Sequence, residues 1–219
     1  MCMPRKYISP ISTAIFFDFD GVLHASLEPD AKGFAGGQLI NPDAIKSILS
    51  YSIKKNIPLY VITARADNEI QRNHIINLLS SIEGITSGVG GFKKENIYCL
   101  GIEHKNKQKK SILIGLRISK LQKIMEIHKK ELGHLKETDL LFVDDDLTNI
   151  NPVLNAGYVT IRAFEDNLYF EEIMEFIRNK LSTNFLASAH EPKNLNKLFF
   201  ASITLEEQKP VSWDNKIKF

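Results

Sequence analysis

The sequence predicts an α/β fold in which a mostly parallel sheet carries helices on both faces, a three-layer α/β/α sandwich. Short apolar runs suited to buried strands recur along the chain: AIFFDF at 14–19, PLYVITA at 58–64, NIYCLG ending at Gly101, DLLFVDDD at 139–146 and GYVTIRAF from Gly157. Stretches with helical spacing of apolar residues alternate with them. Two of the runs also finish in carboxylates, at Asp18 and Asp20 and at Asp144, Asp145 and Asp146. A buried carboxylate is costly unless it is paired or bound to metal, so such strand ends need a reason.

In chain order, residues 14–19 read as a fully buried strand and 24–41 as a loop rich in Gly, Pro and Asp. NPDAIKSILSYSIKKN reads as a helix, with Asn41 as its cap and Pro42 at the first helical position. The strand at 58–64 follows, then a helix over 67–79 with Ile70, His74, Ile75 and Leu78 on one face. Residues 84–96 read as a Gly-rich loop, and 103–110 (EHKNKQKK) as a basic run that is more often solvated than a binding patch. SILIGLRI reads as a strand or hairpin piece, and 119–132 as a strongly amphipathic helix capped by Ser119. A closing helix starts from Asp166. After about Thr183 the pattern weakens, so the expected organisation is one domain over 1–183 and a C-terminal extension or tail over 184–219.

The chain has 219 residues, 43% hydrophobic and 25% charged, enough for one well-cored domain. A formal charge of +2 and scarce Arg argue against a nucleic-acid partner. Two cysteines, Cys2 and Cys99, make no disulfide framework, which favours a reducing, cytoplasmic compartment. No apolar run is long enough to span a bilayer, and MCMPRKYISPIS lacks the apolar core and cleavage site of a secretory leader.

Sites in sheets of this kind lie beyond the carboxyl ends of the strands. Asp18 with Asp20, the Asp144–Asp146 cluster, and Thr63 at the end of VITA all fall there. Carboxylates two apart on an ending strand can project to one side, with Phe19 turned into the core. Crowded carboxylates repel and would take up a proton or a hard cation, and an all-oxygen set suits Mg²⁺. By itself a lone Asp-x-Asp is more often a solvated turn; here it ends an apolar strand and has partners at two other strand ends.

DFDGVL, Thr63 in VITAR, a Lys before the next strand, and FVDDDLTN resemble the four motifs of the haloacid dehalogenase-like (HAD) superfamily, over roughly residues 12–165. The resemblance implies a Rossmann-like parallel sheet and an Mg²⁺-dependent phosphatase. It implies Asp18 as the nucleophile that forms an aspartyl-phosphate, and Asp20 as the group that protonates the leaving oxygen and then assists water. Asp18, Asp144 and the backbone carbonyl of Asp20 would hold Mg²⁺, with Asp145 assisting. Thr63 would hydrogen-bond a phosphoryl oxygen, and a Lys would add charge to it. Lys120, behind the cap Ser119, is favoured for that role; Lys123, Lys109 and Lys110 are the alternatives. Gly21, Ala64 and Arg65 complete the expected substrate-binding set, although a surface ion pair is an equal reading of Arg65. His24 is more often a loop residue than a substrate contact, Asp146 caps the following turn, and Cys99 is a core residue.

Many relatives carry a cap domain over the site. Here 24–41 is too short for a helical cap, and 84–119 holds at most short strands and loops. The expectation is a minimal or absent cap, with 24–41 as a flap, and an open site suited to a phosphorylated protein or peptide, phosphotyrosine above phosphoserine because Phe34 in that flap offers a ring for stacking. The alternatives are a small-metabolite or nucleotide phosphatase and a catalytically silent HAD-fold scaffold. The composition and C-terminal extension resemble a bacterial effector delivered into a host cell without a cleaved signal peptide.

Overall fold

The computed structural model describes residues 11–26, 37–105, 111–164 and 167–186. Phe34, Lys109, Lys110, Cys2 and all but the first residues of the 184–219 extension lie outside them.

The central sheet starts from four apolar residues, β1 (Ala14–Phe17), all buried. On one side β1 pairs in parallel with β4 (Pro58–Ala66), and on the other with β7 (Leu140–Asp144). Two more parallel neighbours, β5 (Gly91–Lys105) beside β4 and β8 (Val159–Arg162) beside β7, extend it. An antiparallel edge strand, β6 (Ser111–Leu116), folds back on β5, so the order is β6-β5-β4-β1-β7-β8. A separate two-stranded ribbon joins β2 (His24–Ser26) to β3 (Gly37–Leu39).

Successive strand residues point to opposite faces, so a strand apolar at every position must be covered twice. Ile15, Phe17, Leu59, Val61, Leu141 and Val143 share one core with Ile45 and Ile48 of helix α1 (Pro42–Lys55), Ile75 and Leu79 of α2 (Glu69–Ser80), and Ile173 and Ile177 of α5 (Tyr169–Leu186). Ala14, Phe16, Tyr60, Ile62, Leu140 and Phe142 share the other with Ile124 and Ile127 of α3 (Lys120–Glu131) and Ile150 and Val153 of α4 (Leu147–Asn155). The result is the three-layer α/β/α sandwich.

The caps sit where short polar side chains precede apolar spacing. Asn41 accepts from the Ala44 N–H at 3.2 Å, with Pro42 in the first turn. Ser119 and Gln122 form a reciprocal capping box at the start of α3. Asn68 caps α2, which therefore begins at Glu69, not at residue 67. The buried side of α2 carries Ile75 and Leu79, while Ile70, in its first turn, is 62% exposed.

The Gly-rich stretch 84–96 is only partly a loop. Residues from Gly91 onward belong to β5, with Gly91 opposite Pro58 and Phe92 opposite Leu59. Phe92 is buried against Phe17, ring centres 5.7 Å apart, and that packing outweighs the polar local sequence. SILIGL forms the hairpin partner of β5. The first strand's ladder ends at Phe17, short of residue 19, because the chain turns at Gly21 in a left-handed conformation, φ 78°.

Candidate active site

Register places the candidate side chains. Phe17 is paired with Val143 on one side and Val61 on the other. Asp18 and Asp144 therefore leave neighbouring strands at the same level, and Thr63 lies level with Phe19. The β4 strand runs on to Ala66 through pairing with β5, so Thr63 lies within β4 and beyond its last β1 partner, not at its end.

Asp18 is 7% exposed and Asp144 fully buried. The Lys120 ammonium sits between them, 2.7 Å from Oδ2 of each. Asp18 Oδ1 also accepts from the Phe19 N–H at 2.7 Å. Asp144 Oδ1 accepts from the Asp146 N–H at 2.8 Å and from Asn149 Nδ2 at 3.3 Å. Burial pushes the Asp18 carboxyl up to about 7, with Lys120 opposing and Asp144 adding to the rise. Burial works against the charge on Lys120, but the two carboxylates outweigh it and hold its pKa above the ordinary value.

Asp145 is exposed and completes a cluster with Asp18 and Asp144 in which one carboxylate oxygen from each lies within 4.8 Å of the others. Burial raises the pKa of Asp145, and Asp144 adds to the rise. Gly21 faces this carboxylate closely: a Cβ there would collide with Asp145 Oδ2. Three convergent carboxylates without nitrogen or sulfur fit a hard divalent cation such as Mg²⁺.

Phe19 is fully buried, but Asp20 takes its own direction. Its carboxylate receives Arg65 Nε at 2.8 Å and Arg65 Nη2 at 2.7 Å, and His24 Nδ1 lies 2.9 Å from Oδ1. Burial opposes ionisation of Asp20, yet these hydrogen bonds hold its pKa well below the carboxylate range. Thr63 is buried, and its Oγ1 accepts from the Arg65 N–H at 3.3 Å; Ala64 is half-buried between them.

Among the lysines on α3, Lys123 pairs with Glu126 at 2.7 Å and lies over the Tyr98 ring, pointing away from the carboxylates. Asp146 caps α4 by accepting from the Thr148 N–H at 2.8 Å. Cys99 is buried in β5. His24 is wholly buried and stacked on Phe19, ring centres 4.9 Å apart. Gln71, whose Oε1 accepts from Arg65 Nη1 at 3.3 Å, was not legible as a site residue; its position in the first turn after the cap Asn68 is the only local signal.

No family model matches the chain, and no curated protein does. Among solved structures it is similar to a hypothetical protein of Xanthomonas campestris, with 15% identity, a TM-score of 0.49, and coverage of 82% of this chain and 90% of that one. It is also similar to the 3-deoxy-D-manno-octulosonate 8-phosphate phosphatase of Moraxella catarrhalis, solved with magnesium, phosphate and KDO: 16% identity, TM-score 0.47, 81% of this chain and 93% of that one. The HAD domain of the effector protein Lem4 from Legionella pneumophila gives 12% identity and a TM-score of 0.49, over 80% of this chain and 99% of that one. Likenesses of this size carry no chemistry over to this chain. No helix of the described residues is long and apolar enough to cross a membrane.

Proposed function

We propose that this chain is an Mg²⁺-dependent phosphomonoester hydrolase of the HAD kind, working through an aspartyl-phosphate on Asp18. The observation that carries the reading is the convergence of Asp18, Asp144 and Asp145 at the carboxyl ends of the neighbouring strands β1 and β7, with Lys120 between the first two. The three carboxylates, with the Asp20 carbonyl, would hold Mg²⁺, which when bound offsets the negative charge of the phosphoryl group and of Asp18.

An Asp18 oxygen forms a bond to phosphorus as the bond to the leaving oxygen breaks, and protonated Asp20 gives that oxygen its proton. Asp20, now a carboxylate, takes a proton from water, whose oxygen attacks phosphorus and releases inorganic phosphate and Asp18. In the resting site the Arg65 pairing holds Asp20 ionised, the state that the second step uses, so the first step requires that Asp20 take up a proton as substrate binds. Thr63 and Lys120 would hold phosphoryl oxygens, with Ala64 and Gly21 lining the approach.

A phosphoprotein, phosphotyrosine first, is the substrate we favour. Between β1 and α1 the described residues hold only the β2–β3 ribbon, and between β5 and α3 only the β6 hairpin. Such connections are too small to close over a metabolite and leave room for a phosphorylated side chain on a large partner. Delivery of such an enzyme into a host cell belongs to this proposal, on the composition and the 184–219 extension.

The test is phosphate release from phosphopeptides, nucleotides and sugar phosphates, with Mg²⁺ or chelator, by wild type and Asp18→Asn. Mg²⁺-dependent release, lost in Asp18→Asn and strongest on phosphotyrosine peptides, is expected. Release mainly from metabolites would overturn the substrate class and keep the mechanism. No release from any substrate would favour a scaffold.

A further inference from the structure

The direction of the Asp20 carboxylate is set by a buried cage. Arg65 binds it in two places, Nε to Oδ2 at 2.8 Å and Nη2 to Oδ1 at 2.7 Å. A planar fork fixes the plane of a carboxylate as well as its position. The fork is itself fixed. Its third nitrogen, Nη1, donates to Gln71 Oε1 at 3.3 Å, and its central carbon lies 4.8 Å from the centre of the Phe19 ring. The same ring stacks on His24, whose Nδ1 reaches Asp20 Oδ1 at 2.9 Å. Phe19 and His24 are fully buried, and the Arg65 side chain is 10% exposed. Groups this enclosed have little freedom to reorient.

The position of Arg65, two residues after Thr63, suits either of two roles. It could hold a phosphoryl oxygen, or it could act through Asp20. The N–H groups of its fork are already committed to Asp20, and a long cationic side chain reaching for substrate has no need of a Gln71 brace and an aromatic shelf beneath it.

We propose that Arg65 is a positioning residue: it aims Asp20 at the leaving oxygen and the attacking water, and does not itself hold the phosphoryl group. Gln71 and Phe19 keep Arg65 in place. This inference rests on the phosphatase reading above, in which Asp20 moves the proton.

The two candidate roles separate kinetically. An aryl phosphate such as p-nitrophenyl phosphate has a leaving group that departs without a proton, whereas an alkyl phosphate needs one. The full chain would be assayed with Mg²⁺ on both esters as wild type, Asp20→Asn, Arg65→Ala, Arg65→Lys, Gln71→Leu and the Asp20→Asn/Arg65→Ala double variant, each checked for folding by circular dichroism. Asp20→Asn should lose about 10²–10⁴-fold in kcat on the alkyl ester and less on the aryl ester. Arg65→Ala should fall in the same pattern by a smaller factor, in kcat with KM unchanged. The Lys variant, which cannot fork, should restore it only in part. Gln71→Leu, which leaves the Arg65–Asp20 pair in place, should show a weaker version of the same preference.

The double variant should be no slower than Asp20→Asn alone, because a positioning residue has nothing left to position. Losses that multiply in the double variant, or a rise in KM shared equally by both esters, would place Arg65 on the phosphoryl group and overturn the inference. If Asp20→Asn shows no preference between the esters, the assignment of Asp20 falls, and with it the ground for this one.

Discussion

Replacing Lys120 by Met tests the electrostatics of the site without asking for activity. The ammonium is 3% exposed and lies 2.7 Å from one oxygen of each of two carboxylates, of which Asp144 is fully buried and Asp18 nearly so. Methionine fills a similar volume and leaves the two acids facing each other across an apolar side chain. Removing one partner of a buried ion pair costs about 3–5 kcal/mol, a large part of the roughly 5–15 kcal/mol that holds a domain folded. Urea denaturation in chelator at about pH 9, where Asp18 is ionised in the wild type, reads this as a lower midpoint with an unchanged slope.

The loss should depend on pH in a defined direction. Burial already pushes Asp18 up to about 7 against the opposing charge of Lys120, so without the lysine it rises further. An acid whose folded pKa lies above its unfolded value, 3.8, binds more protons folded than unfolded between the two, and stability falls as pH rises through that window. Wild type and Lys120→Met lose stability alike up to about 7, so the deficit should open above that pH, where Asp18 ionises in the wild type and stays protonated in the variant. Adding Mg²⁺ should recover part of it, about 2.7 kcal/mol at a hundredfold excess over Kd. A deficit below about 1 kcal/mol at about pH 9, or one that grows as the solution is acidified, would refute the buried ion triad.

Two further predictions concern the frame of the site. Gly21→Ala places a Cβ on a left-handed residue, φ 78°, directly against Asp145 Oδ2; it should cost about 1–3 kcal/mol in urea denaturation and weaken Mg²⁺ binding in calorimetry, since it displaces a candidate ligand. Burial pushes the Cys99 thiol up to about 11, so in a Cys2→Ser variant a thiol reagent at pH 8 should leave the native protein unlabelled and label it promptly in urea; prompt native labelling would contradict the packing of β5.

Much of this architecture is decided locally. AIFF, PLYVI and LLFV are apolar at every position, and runs this short fit strands covered on both faces, which calls for helices in two layers. Polar caps at Asn41, Asn68 and Ser119 set where helices begin, because backbone N–H groups at a helix start need an acceptor within three residues. The carboxylates of Asp18 and Asp144 were legible for the same reason: acids ending buried strands stand out against the cost of their burial.

What tertiary structure alone decided are the relations between distant segments. Residues 91–96 carry two lysines, a glutamate and an asparagine, yet they belong to a strand because Phe92 finds Phe17. Lys120 and Lys123 share a helix three residues apart, and the place of Lys120 behind the cap Ser119 favours it only through the family resemblance. Only the seating of α3 turns the first toward Asp18 and Asp144 and the second toward Tyr98 and Glu126. Asp20 and Arg65 lie 45 residues apart and become partners because β1 and β4 are neighbours in register. Strand character follows from a residue's own chemistry and that of its neighbours along the chain. A charged side chain's partner depends on which strands the crossovers bring side by side, and that is a property of the folded sheet.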